Sequence, residues 1–517
     1  MERNEYRKEL GFWHVVLLTV GAILGPAIAY IPVTVLTFGG PIGIFAWILA
    51  FLLIIPIALV YIELGTMWPK AGGVAYYPAK SHGSLVGLLN GWAAFLGYTL
   101  VMPLVVTSVV EYLSFYYPTL YQDNKISSLG IFISIIIVLM IFYVNIKRVK
   151  LLGNINNGLT LVKIILIIII ISVLLYHFNP SNYFSYGGPA PYRFGGLFLA
   201  VSATILAYAG FRQPIDYSEE VKNPGKFIPK AVIISLLFVL IIYMLESIAF
   251  LGTVNWQSFG ISPGSWGQLG NLPYPFISSS QAIKVYSLTT IIIIAVVIAS
   301  FSDGLIYFGG AARVSNALSR YDEYFPKFLS GLNYEGVPIN SAILVVLISI
   351  PYLILLPSFS SVLGVFVDAI LVSYAPAAVS LAVFRKEFMD ISRPYRLPAY
   401  KILSPVAFIV GGFLIYWSGF YNVLIAISSV FVGLIFIYIL IKKRKFSRQD
   451  FFAGLWYLVF LIFTLIFSYL GSSEFGGRNV VPFPYDTLIF ALLSLVFYFW
   501  GVSSSNKLKA KASSGLM

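Results

Sequence analysis

Apolar runs long enough to cross a bilayer follow one another along nearly the whole chain, a pattern that no water-soluble domain accommodates. A crossing helix needs about 20 predominantly apolar residues. About fourteen runs approach that length, centred near Ile23, Phe51, Thr99, Ile135, Ile167, Ile205, Leu240, Val297, Leu347, Leu371, Val410, Val432, Phe460 and Leu495. Charged residues make up only 10% of the chain, too few to cover a soluble surface. No cysteine and three histidines leave no disulfide, thiol catalyst or Cys/His metal site. No nucleophile–base constellation points to an enzyme, and the spans lack the polar rings a channel needs. The sequence therefore implies no cofactor and no metal.

Topology follows from the basic residues, which concentrate in cytoplasmic loops. With both termini cytoplasmic, fourteen spans put 27 of the 33 Lys and Arg on that side, from Arg3, Arg7 and Lys8 to Lys507, Lys509 and Lys511. Only Lys125, Arg193, Lys284 and Arg478 fall on the other side, while Lys163 and Arg212 lie within spans. The first span has no cleavage pattern before it and is expected to be retained. Topology and anionic lipid account for the net charge of +13, and Lys442-Lys-Arg-Lys445 is a juxtamembrane cluster of that kind. Nucleic acid is not required.

Two spans are interrupted. The first contains Gly21-Ala-Ile-Leu-Gly25-Pro26, and the sixth contains Leu206-Ala-Tyr-Ala-Gly210-Phe-Arg-Gln-Pro214. Proline removes a backbone donor, and a broken helix at membrane depth is tolerated only where it lines a cavity or meets a ligand. Five spans precede the sixth, so the two broken helices enter the bilayer in opposite senses. That is the arithmetic of an inverted repeat of five plus five spans, with its site at the breaks. Residues 1–401 then form a transporter core, and residues 402–517 hold four further spans and a cytoplasmic tail.

Several short segments point to one family. Pro32 and Gly39-Gly40-Pro41 follow the first break. Tyr61-Ile-Glu63-Leu-Gly65, Pro69-Lys-Ala-Gly72-Gly73 and Asn90-Gly-Trp92 come next, then Glu219-Glu-Val-Lys-Asn-Pro224 with Ile228-Pro229. Ala312-Arg313, Arg320 and Phe325-Pro326 precede Arg393-Pro-Tyr-Arg-Leu-Pro398. In this order, over roughly the first 400 residues, the chain resembles the amino acid–polyamine–organocation transporter superfamily. The resemblance implies an all-α membrane fold of the LeuT type and transport of amino acids or related amines and organic acids.

A discontinuous helix offers free amides at one half and free carbonyls at the other, the two complements of an α-amino acid. The carboxylate is expected near Gly25, Pro26 and Ala27. The ammonium is expected near the carbonyls of Ala22, Ile23, Leu206 and Ala209, with Ala207 and Gly210 completing the second break. Two departures stand out: Gly25-Pro26-Ala27 replaces the family's G-S-G, and Leu206 stands where an aromatic gate is usual. Alternatively, these Gly and Pro residues only kink packed helices.

Two intramembrane charges are candidates for coupling. By resemblance, the ammonium of Lys163 takes the place of a sodium ion, which argues against sodium coupling. It would serve a proton cycle, or else snorkel to the interface. Asp303, roughly 15 Å along span eight from Arg313 at 1.5 Å per residue, is its expected partner, in a coupling pair or a structural one. Arg212 either receives a side-chain carboxylate of the substrate or pairs with Asp216 four residues on. Met102 and Phe308 are further candidates for pocket lining, by alignment. The loop from about Gly252 to Lys284 is a candidate external cover.

The resulting expectation is a multi-pass protein of the cytoplasmic membrane, monomeric or homo-oligomeric. It moves a small amino acid-like substrate by alternating access, sodium-independently, with protons as partners or by exchange. A non-transporting amino acid sensor has the same site.

Overall fold

In the computed structural model, residues 5–123, 125–321, 323–356, 358, 370–436, 438 and 446–505 are described. The Lys442–Lys445 cluster and the tail from Lys507 onward lie outside them. Apart from a two-residue hairpin, Tyr121–Gln122 with Lys125–Ile126, the described residues are helical or irregular. Nine helices among them are long and apolar enough to cross a membrane. The number is ten if Tyr400–Tyr416 and Phe420–Phe436, bent by 108° at their junction, count as one span. The fourteen expected runs do not all meet that test. The first is split into short pieces, Ile339–Leu355 has only 17 residues, and residues 359–369 and 439–445 lie outside the description. Two interrupted sections of the chain form the centre.

The first comprises α1 (Phe12–Ile23), a 3-10 turn (Pro26–Ala29) and α2 (Ile31–Gly39). Pro26 cannot donate, so the ladder stops at Leu24 N–Val20 O, and Gly25 is extended (φ −86°, ψ −153°). Continuing along the chain come α3 (Ala46–Met67), α4 (Gly73–His82), α5 (Ser84–Leu113), α6 (Ser128–Asn145) and α7 (Val149–Tyr176). The second section comprises α8 (Arg193–Thr204), an eight-residue 3-10 helix (Ile205–Arg212) and α9 (Gln213–Asp216). Ala207 to Gly210 are thus tightened rather than unwound. Bonds of the i→i+3 kind keep most polar groups paired, and Pro214 withdraws only one donor.

Next come α10 (Pro224–Gly252), α11 (Pro275–Ala282) and the 35-residue α12 (Tyr286–Arg320), which packs along α5, α7 and α13 (Ile339–Leu355). The α10–α11 loop lies against α2, with Trp266 buried edge-on to Trp256 at 4.9 Å. After α14 (Ala375–Glu387) follow α15 (Tyr400–Tyr416), α16 (Phe420–Val432), α17 (Arg448–Leu470) and α18 (Tyr485–Ser503). These late helices are tied to the rest. Tyr457 donates to Val372 O (3.0 Å), and buried His82 donates from Nε2 to Gly501 O (2.8 Å) while Ser81 Oγ lies at its Nδ1.

One end of the molecule is closed by polar contacts. Glu9 and Leu10 donate their amides to Glu220 O, the Arg313–Glu220 ion pair is buried, and Glu219 accepts from Ala71 N and Tyr321 OH. Glu63 pairs with Arg385 (2.7 Å) and Arg393 (3.2 Å). Below this is called the N-terminal end.

Candidate functional site

The two broken sections touch. A Cβ on Gly210 would overlap the carbonyl of Ala22 and lie 2.7 Å from Ile23 N, so only glycine lets the second break approach the first this closely. Beside the contact opens a cavity of about 810 Å³. Ala22, Ile23, Gly25, Pro26 and Ala27 line it from the first break, and Leu206, Ala207, Ala209 and Gly210 from the second. Asp303 and Tyr307 of α12 complete the deep part. The cavity then runs past Thr34 and Ser202 to Tyr421 and Glu474, which are exposed, so it opens at the end opposite the N-terminal end.

The backbone at the breaks is unequally available. Ile23 O accepts from Tyr243 OH (2.9 Å) and Ala209 O from Tyr374 OH (2.6 Å). Lys163 Nζ donates to Gly21 O (2.9 Å), Leu24 O (2.8 Å) and Ser302 Oγ (3.3 Å). Among the described residues, the amides of Gly25 and Ala27 donate to nothing. The first break therefore presents free donors to the cavity, while several of its acceptors are capped.

The expected Lys163–Asp303 ion pair does not form. Three acceptors, two of them carbonyls released by the break, use all three ammonium protons of Lys163. Lys163 is buried behind the first break and does not snorkel. Asp303 is also buried, and its Oδ1 has no hydrogen-bond partner among the described residues. Its carboxylate occupies the space a side chain at residue 25 would need, since a Cβ on Gly25 would overlap Asp303 Oδ2. No group of three or more His, Cys, Asp or Glu that could hold a metal ion occurs among the described residues.

Comparison of the sequence with known families decides the assignment, since the amino acid permease model covers residues 10–470. The chain belongs to the amino acid permease family. Two similar proteins of Bacillus subtilis are a glutamate/serine transporter and an aspartate–proton symporter. The former is 29% identical, aligned over 97% of this chain and 94% of its own length; the latter is 31% identical, over 96% and 97%. A serine/threonine exchanger of the same organism is 26% identical, over 86% of this chain and 99% of its own length.

In this permease the other sequence candidates lie away from the cavity. Met102 packs beside Gly304, and Phe308 meets Phe142 edge-on at 6.2 Å. Arg212 is fully buried between the cavity and the N-terminal end. It does not line the cavity, and it reaches Asp216 only through a tyrosine. Its Nε donates to Tyr98 OH (2.8 Å), and Tyr98 OH donates to Asp216 Oδ2 (2.5 Å), so a tyrosine separates the two charges. The switch from 3-10 to α geometry at Gln213 removes the regular spacing that would bring residues 212 and 216 together. Arg212 Nη1 donates to Ser373 Oγ (2.7 Å), and the guanidinium lies 4.3 Å from the Tyr374 ring centre. Asp216 further accepts from Val74 N (3.2 Å) and, at its carbonyl, from Gly72 N (3.0 Å).

The sequence reading missed the outer wall of the cavity. It is built by Trp417 to Gly419, between α15 and α16, by Phe420 to Asn422 in the first turn of α16, and by Glu474 to Gly476, between α17 and α18. Asp486 accepts from Tyr416 OH (2.5 Å) and Ser472 N (3.3 Å), and Phe475 is buried against Tyr416. The one available signal was the bend at Ser418-Gly419, where Gly419 has φ +97°. Glu474 carries no signal of its own.

Proposed function

We propose that this permease is a secondary transporter of amino acids across the cytoplasmic membrane, working by alternating access without sodium and coupled to protons or to exchange. The observation that carries the reading is the cavity in which free amides at Gly25 and Ala27 and an unpaired carboxylate at Asp303 converge on two interrupted helices. The relatives that carry glutamate, serine or aspartate support amino acids as the substrate class. The proposal takes fourteen spans, with an inverted five-plus-five core in residues 1–401 and four further spans in residues 402–517. The basic loops orient both termini to the cytoplasm. In that orientation the cavity faces outward, and the polar contacts at the N-terminal end close the inward path.

Lys163 supports sodium independence, because its ammonium holds the carbonyls that a cation at the first break would need. In liposomes containing the purified protein, labelled serine and glutamate accumulate equally fast whether the outside cation is sodium or choline. A steep dependence on sodium contradicts the assignment. Lys163→Ala leaves the Gly21 and Leu24 carbonyls without their donor and lowers stability by about 1–3 kcal/mol; it abolishes pH-driven accumulation while some substrate binding persists. Full accumulation by this variant removes Lys163 from the cycle. Binding of amino acids without uptake by the wild type identifies a sensor instead.

A further inference from the structure

We propose that Asp303 receives the substrate's ammonium group, so that an amino acid with an acidic side chain enters the cavity only together with one extra proton. The inference deepens the transporter reading and rests on it for its uptake arm alone. Its starting point is the buried, partnerless Oδ1 of a carboxylate that lines the cavity. An isolated charge in a membrane interior is costly. Lys163, the cation that acts on Asp303 among the described residues, spends its three protons elsewhere.

The position suits an α-amino acid. The Asp303 carboxylate lies against Gly25, whose free amide, with that of Ala27, offers donors to a substrate carboxylate. An ammonium one carbon from that carboxylate is then within reach of Asp303. The carbonyls of Ile23 and Ala209, which would otherwise compete, already accept from Tyr243 and Tyr374.

The charge balance decides the substrate's side chain. The described lining carries two carboxylates, Asp303 and Glu474, and no Lys or Arg. Between Lys327 and Arg385 the sequence has neither. Arg212 is bound to Tyr98 and Ser373 and does not line the cavity. A serine zwitterion places its ammonium on Asp303 and its carboxylate on the amides, and neither charge of the substrate remains unpaired. Glutamate in the same pose adds a second carboxylate with no cation to meet it. One proton from the outer solution, bound to that carboxyl or to Asp303, restores the charge of the serine complex. Among the described residues, the titratable groups that interact with Asp303 are Lys163 from α7, Tyr243 from α10 and Tyr307 on its own helix, and α1 contributes none.

The test uses the purified full chain. Calorimetry should find that the wild type binds serine more tightly than glycerate, in which a hydroxyl replaces the amine. Asp303→Asn should weaken serine binding about ten- to hundredfold, as expected for loss of a charge-assisted bond, and bring serine and glycerate to the same affinity. A folded Asp303→Asn protein with unchanged serine affinity overturns the proposal. Should that variant not fold, proton flux into wild-type liposomes decides: glutamate should carry one more proton per molecule than serine, and equal stoichiometry overturns it. Serine binding that depends on Asp303 without any uptake would instead sink the transporter reading and leave this assignment standing.

Discussion

Gly210→Val abolishes transport and most of the folded protein, whereas Gly158→Ala changes neither. At Gly210 any side chain meets the backbone of Ala22 and Ile23, and backbone cannot swing aside as a flexible side chain can. The two broken sections must then separate, which opens the floor of the cavity and removes packing between them. Overpacking typically costs about 1–3 kcal/mol, and a β-branched residue facing immobile atoms lies at or above the upper end. Gly158 lies inside α7 and a Cβ there meets nothing within 4 Å. Alanine in its place gains helix propensity of about 1 kcal/mol. Detergent-solubilised yield by size exclusion, followed by uptake in liposomes, checks both. Normal uptake by Gly210→Val contradicts the close contact of the breaks.

Arg212→Met lowers stability by about 3–5 kcal/mol, the cost of leaving one partner of a buried charge network uncompensated. It depresses uptake of acidic and neutral substrates alike. The reason is position: Arg212 holds Tyr98 and Ser373, and through Tyr98 reaches Asp216, which in turn anchors Gly72 and Val74. The network therefore joins α5, α9, the start of α4 and the residues before α14 into one plug between the cavity and the N-terminal end. Tyr98→Phe leaves Arg212 Nε and Asp216 Oδ2 facing each other without the hydroxyl and costs about 1–3 kcal/mol. Exchanging Arg212 and Asp216 does not restore the protein, because an arginine at 216 cannot accept from Val74 N and an aspartate at 212 cannot donate to Ser373 Oγ, whose own proton goes to Ile370 O. Thermal unfolding in detergent gives the stabilities. Selective loss of acidic substrates would mean that Arg212 contacts the substrate after all.

What the sequence made legible follows from what is local. Gly25-Pro26 interrupts a helix wherever it stands, because the missing N–H and the missing Cβ act within one turn. The depth of Lys163 along its span was readable from 1.5 Å per residue, and so was the burial of Asp303. Their partners were not. Whether Lys163 meets Asp303 or the carbonyls of Gly21 and Leu24 depends on how α1, α7 and α12 pack, and no short window contains that information. The same holds for Arg212: Asp216, four residues away, was the visible partner, while Tyr98 and Ser373 lie 114 and 161 residues distant. At the second break, Gly210 and Pro214 signalled an interruption, but the segment Ile205–Arg212, packed on α1 and α3, is 3-10 rather than unwound. The late helices looked separable because the expected inverted repeat ends before them, yet their loops contribute to the outer wall of the cavity.

The account centres on a substrate lying between the two breaks, and a cryo-electron-microscopy map of the protein in lipid nanodiscs with saturating serine tests it most directly. The account predicts density in the cavity with the carboxylate at the amides of Gly25 and Ala27 and the ammonium at Asp303. Continuous helices through Gly25 and Gly210, or serine bound elsewhere with this cavity empty, would contradict it.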